Sequence, residues 1–112
     1  MSKVEQDLLN DLKNYFGNDY DEDNDSAILF CIKRAILSFK NKRNYPNIYT
    51  DALINNDMEK YYSCIFDLTL YWINMQGCEF QTNHSENGVS RSFKSEQDIY
   101  VLHSVIPIAR II

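Results

Sequence analysis

The sequence predicts a mainly α single domain, a small bundle of about four helices with a short β-hairpin between the longest helix and the C-terminal helix. Three observations predict it. Apolar residues recur every three or four positions along three separate stretches. Only three Gly and two Pro interrupt the chain, too few for a many-turned all-β fold. The strongest hairpin-turn signal, Asn87-Gly88, falls late, between the longest helical stretch and the last one. With 112 residues the chain holds one core (residues 1–112 as one domain) and not two. Hydrophobic residues at 45% and charged residues at 24% are those of a globular chain.

The first helix is written by Val4, Leu8, Leu12 and Tyr15/Phe16, begun by Ser2 and stopped by Gly17. An acidic loop follows, and Asp25 or Ser26 caps a second helix. Its stripe is Ile28, Cys31/Ile32, Ala35/Ile36 and Phe39, with Lys33, Arg34 and Lys40 largely off it. Asn44-Tyr-Pro-Asn47 ends it, because Pro46 disfavours helical geometry in the residue before it. Tyr61/Tyr62, Ile65, Leu68/Thr69, Trp72/Ile73 and Met75 predict a third and longest helix from Asp57 to Gln76, with Gly77 as terminator. Thr50–Asn55 reads as a short extra turn without a clear place. Beyond Gly77, Glu79–His84 and Val89–Phe93 have extended character and flank the Asn-Gly turn. Ser95-Glu-Gln-Asp98 resembles a capping box opening a last helix that runs to Val105, with Pro107 beyond. The apolar end Ile108-Ala-Arg-Ile-Ile112 calls for a surface to lie on, its own core or a neighbouring subunit.

Charge narrows the partners. The chain carries a net charge of −5, which repels nucleic acid overall. The charge is unevenly spread. Residues 1–30 hold two basic and eight acidic side chains, net −6, whereas residues 31–50 hold five basic and none acidic, net +5. The basic group is Lys33, Arg34, Lys40, Lys42 and Arg43; cations near a helix C-terminus complement its dipole. The run from Asp19 to Asp25 fails as a calcium loop, because its sixth position is Asn24 and its twelfth is Phe30. An acidic, solvated loop is the reading that remains.

No catalytic constellation is found, and the chain reads as no enzyme. His84 and His103 belong to no metal or nucleophile motif, and Cys78 with His84 lacks a second ligand pair. Asp67 stands among Ile65, Phe66 and Leu68, and at helical spacing it is expected to face solvent or a basic neighbour. No Gly-rich phosphate loop is present, so no metal or cofactor is expected. Three cysteines cannot all pair, and Cys31 and Cys64 lie on apolar helical faces as small hydrophobes, which points to a reducing compartment. No apolar run approaches the roughly 18–20 residues of a membrane span. Function is expected to lie in surfaces.

One region carries a resemblance. Trp72-Ile-Asn-Met-Gln-Gly-Cys-Glu79, then Ser85-Glu-Asn-Gly-Val-Ser-Arg-Ser-Phe93, then Ile106-Pro107, resembles the head–tail connector (head-completion or adaptor) proteins of tailed bacteriophages. The acidic loop before a helix with a central Ala35 fits the N-terminal half of that family. The resemblance implies a structural virion protein made in the host cytoplasm and built into the head–tail junction. It implies a homo-oligomeric ring of about 12–13 copies closed by a heterologous interface. The ring sits below the portal protein, extends the DNA channel, helps retain packaged DNA and offers a platform to a downstream connector or tail-completion protein. Genomic DNA then passes an acidic lumen without specific binding. The subunit or portal contacts it implies are Ser85, Glu86, Asn87, Gly88, Val89, Ser90, Arg91 and Phe93, together with Ile111 and Ile112 of the tail.

Plainer readings stand beside it. Asn87-Gly88 is what a type I′ turn requires on its own, and Arg91 can simply lie over Phe93. A tail-completion protein at another layer of the junction shares the same features. From a different class, a small acidic helical regulator or inhibitor would bind a protein partner through the apolar tail as a monomer or closed dimer. A helix-turn-helix reader is disfavoured, because Asp57, Glu59 and Asp67 stand on the third helix where cations should dominate.

Overall fold

Ser2 opens the fold as the sequence predicts: its hydroxyl accepts the Glu5 N–H at 3.2 Å and so satisfies one orphan donor of the first turn. The computed structural model describes residues 2–76 and 95–108. These residues form five helices and no strand: α1 (Lys3–Phe16), α2 (Asp25–Arg43), α3 (Asp51–Lys60), α4 (Tyr62–Gln76) and α5 (Glu96–Leu102). The mainly helical class is therefore the observed one. The expected hairpin, with its Asn87-Gly88 turn, lies outside the described residues. No described helix is long and apolar enough to cross a membrane.

Gly17 stops α1 at φ 59°, a conformation that costs glycine nothing. Two 3₁₀ turns, Gly17–Asp19 and Glu22–Asn24, then carry the acidic loop into α2. The cap of α2 is Asn24, not Asp25 or Ser26, and its side chain makes no capping bond. The 3₁₀ turn already leads into the helix there, and Asp21 caps that turn instead, accepting the Asp23 N–H at 2.9 Å. Asn44 ends α2 in the left-handed region at φ 55°.

The single helix expected from Asp57 to Gln76 is two. Thr50 caps α3 by accepting the Leu53 N–H at 3.2 Å, so Thr50–Asn55 is the start of a real helix. The chain changes direction at Tyr61, whose φ −105° and ψ 28° leave the helical basin. The break lets α3 pack on α1 with Met58 inward while α4 packs on α2. With its residues divided, the longest helix is α2 and not the expected third one.

Phe39 meets Tyr61 with ring centroids 5.8 Å apart, and Arg34 lies 4.2 Å from the Trp72 ring centroid, so α2 and α4 run antiparallel. Between them sit Ile28, Cys31, Ile32, Ala35, Phe39, Cys64, Ile65, Leu68 and Ile73, all fully buried. Burial of each of the Ile, Leu and Phe side chains stabilises the fold by roughly 1.5–3 kcal/mol before entropy is charged against it, and of Ala35 by less. The buried Thr69 hydroxyl donates to the Ile65 carbonyl at 2.8 Å, so α4 carries a polar atom into the core at little cost.

Ser95 accepts the Asp98 N–H at 3.4 Å and opens α5 where the capping box predicts. The helix ends at Leu102, short of the expected Val105. Ser104 takes φ 57°, the Val105 N–H donates to the Tyr100 carbonyl at 2.9 Å, and the Ser104 N–H donates to Val101 at 3.1 Å. These are the paired bonds of a Schellman stop, formed here without glycine.

Candidate subunit-contact surface

The α2 stripe that packs inward has a complement. Phe30, Lys33, Arg34, Leu37, Lys40 and Asn41 fall on its outer side, all exposed, with Leu37 at 60%. Phe30 and Leu37 break the period of the buried stripe, a signal present in the sequence and missed there. Two grooves flank Leu37. One, of about 350 Å³, is lined by Arg34, Leu37, Ser38, Asn41, Trp72 and Glu96; the other, of about 250 Å³, by Glu5, Lys33, Ile36, Leu37 and Lys40.

Arg34 and Trp72 form the centre of the first groove. The guanidinium stacks on the indole at 4.2 Å and stands 5.7 Å from the Phe30 ring centroid. Such a pair contributes about 0.5–1 kcal/mol at an exposed site. The indole N–H donates to Glu96 Oε2 at 3.0 Å. This bond joins the last turns of α4 to the first residue of α5, and so pins together the two flanks of residues 77–94. Met75, 63% exposed, continues the apolar surface along α4. The sequence names Arg34 only within its basic group and Glu96 only within its capping box, because Trp72, the partner of both, lies far along the chain.

At the other end of α5 the C-terminal arm is fixed to α2. Arg43 donates from Nε and Nη2 to the two oxygens of Asp57, at 2.8 and 3.0 Å, and from Nη1 to the Ile106 carbonyl at 2.7 Å. The Tyr45 hydroxyl donates to the same carboxylate at 2.7 Å. The Ile108 N–H returns to the Arg43 carbonyl at 2.8 Å. Burial opposes the Arg43 charge, but the hydrogen bonds to Asp57 and its negative charge outweigh it and hold the guanidinium protonated. Burial, then the bond to Asp57, pushes the Tyr45 hydroxyl above its ordinary range. The basic end of α2 is thus structural at Arg43, through Asp57 and the Ile106 carbonyl.

A third polar group lies deeper. Asp67, 3% exposed, does not face solvent; its Oδ2 is 2.7 Å from His103 Nε2, the basic neighbour that the sequence left unnamed. Cys64 is buried one turn away, and burial, reinforced by the Asp67 charge, pushes its thiol up to about 12. A thiol held neutral is no nucleophile. Among the described residues no group of three or more His, Cys, Asp or Glu is arranged to hold a metal ion.

The contact residues expected from the sequence, Ser85–Arg91, Phe93, Ile111 and Ile112, all lie outside the described residues. Comparisons with protein families, curated proteins and solved structures return no match.

Proposed function

We propose that this chain is a structural head–tail connector of a tailed bacteriophage, acting as a ring-forming subunit below the portal that joins head to tail. The reading rests on the residues of the Ser85–Phe93 run and Ile106-Pro107. The geometric observation that carries it furthest is the Trp72–Glu96 bond, which brings the flanks of that run together beside an exposed surface. The exposed Phe30, Leu37 and Met75 on α2 and α4 add apolar surface, which supports a contact role for this side of the bundle. Ile106 and Ile108 of the C-terminal arm are fixed at the Arg43 end of α2. A ring needs a heterologous interface, in which two different surfaces of one subunit meet.

Native mass spectrometry over a rising concentration series, with negative-stain images of the same samples and of mixtures with portal rings, tests the reading. A closed species of about 12–13 subunits with a central hole, alone or templated on the portal, is the expected result. A dimer that persists at every concentration and ignores the portal overturns it, since twofold closure uses the surfaces that a ring requires. That outcome would favour the small regulator instead.

A further inference from the structure

The outer face of α2 carries cations that no ion pair among the described residues neutralises. Lys33, Arg34 and Lys40 surround the exposed Leu37, and among the described residues no carboxylate lies within ion-pairing distance of any of them. The two carboxylates that border the grooves are engaged elsewhere: Glu5 accepts the Ser2 hydroxyl at 3.1 Å, and Glu96 accepts the Trp72 indole N–H. The opposite charge stands at the start of the same helix. Asp21, Glu22 and Asp23 are exposed in the 3₁₀ turn before α2, and no cation among the described residues pairs with them. Asp25, by contrast, is taken by Lys13 at 3.6 Å and by Tyr20.

The helix itself keeps these two groups apart. Asp23 and Lys33, their nearest members, are ten positions apart, about 15 Å along a helix axis and beyond a Debye length of about 8 Å. Neither group can satisfy the other within one chain. Between two chains both can be satisfied at once, and such local complementarity offsets the repulsion between copies of a chain of net charge −5.

We infer that the Asp21–Asp23 turn of one copy docks on the Lys33–Leu37–Lys40 face of α2 in the next copy. The pairing is head to tail, since the two patches differ. Leu37 supplies the apolar contact that the charges surround, and the grooves on either side receive the acidic side chains. The pairing itself stands on charge and geometry; only its closure into a ring rests on the connector reading.

Charge reversal tests it in a form that leaves the fold intact. E22K/D23K keeps the Asp21 cap, and K33E/K40E keeps Arg34 on Trp72. Sedimentation of each full-length chain, across a concentration and salt series with circular dichroism as the folding control, gives the association constants. Wild type is expected to self-associate and to weaken with salt, and each variant alone is expected to associate at least about tenfold more weakly. An equimolar mixture of the two variants is expected to recover the wild-type constant, because each reversed patch meets its reversed complement. Association indifferent to both reversals overturns the inference, as does a mixture that stays dissociated or a wild type that is monomeric throughout. Binding of duplex DNA that K33E/K40E abolishes overturns it in favour of nucleic acid. Rings that survive both reversals leave the connector reading standing and remove this interface. A closed dimer rescued by mixing supports the pairing and removes the ring.

Discussion

Arg43 and Asp57 face each other through two parallel N–H···O bonds, at 2.8 and 3.0 Å, across fourteen residues of sequence. Both side chains are nearly buried, and the Arg43 guanidinium also holds the Ile106 carbonyl. One pair therefore ties α2, α3 and the C-terminal arm together. Its geometry is the bidentate one that makes an arginine–carboxylate pair strong and directional.

Removing one member strands the other. Asp57→Ala is expected to destabilise the fold by on the order of 3 kcal/mol, since it leaves the Arg43 charge and the Tyr45 hydroxyl without their acceptor. Arg43→Lys is expected to cost part of that, because an ammonium cannot reproduce the fork. Urea unfolding of the two single variants and of the double variant Arg43→Ala/Asp57→Ala gives the coupling. Strictly additive losses would contradict a direct pair.

Ser104 holds a left-handed backbone at φ 57° with a side chain that disfavours it. Ser104→Gly is expected to stabilise by about 0.5–1 kcal/mol, raising the melting temperature, while Ser104→Val lowers it. Asn44, at φ 55°, tolerates the same geometry better, so Asn44→Gly is expected to gain less. Paired thermal melts decide the order of the two gains.

Cys31 and Cys64 are fully buried. Maleimide at neutral pH is expected to leave both unmodified in the folded chain and to label both in urea, read by peptide mass mapping. Alkaline pH bears on Cys64 directly. Its thiol is raised from 9.0 to about 12, and the Tyr100 hydroxyl from 10.0 to about 12, both chiefly by burial. Each raised value means that the folded state holds a proton which the unfolded state releases earlier. Their contribution is complete below pH 9 and is lost as pH climbs toward 12. Unfolding free energy measured over that window is expected to fall, and Cys64→Ala is expected to move the onset upward toward pH 10.

Trp72 is the single tryptophan, so its emission reports one environment. Arg34→Ala removes the stacked cation and is expected to destabilise by about 0.5–1 kcal/mol with a change in emission intensity. Glu96→Gln keeps an acceptor for the indole N–H and is expected to change the emission less than Glu96→Ala does. Equal spectra for all three variants would mean that the Arg34–Trp72–Glu96 cluster does not form in solution.

The helices were legible because their signals are local. Ser2 and Gly17 bound α1, Pro46 follows the stop of α2, and Ser95 opens α5, each through a cap formed within a few residues. The division at Tyr61 was not legible, because Tyr61, Tyr62 and Ile65 keep a helical period straight through it. Periodicity records which side of a helix is apolar, and it is silent on two helices meeting end to end. Leu37 and Phe30 were readable as outliers from the α2 stripe, whereas Arg34 over Trp72 was not.

From the sequence alone come the helical class, most of the caps, the inward stripe of α2 and the opposition between an acidic start and a basic continuation. These follow from neighbours three or four positions apart, where backbone geometry dictates who meets whom. Only the tertiary structure decided that the helix is interrupted at Tyr61, that Asp67 meets His103 and that Trp72 meets Glu96. Each of those contacts joins residues on different elements. The whole core chooses such partners at once, by how the stripes of α1, α2 and α4 fit together.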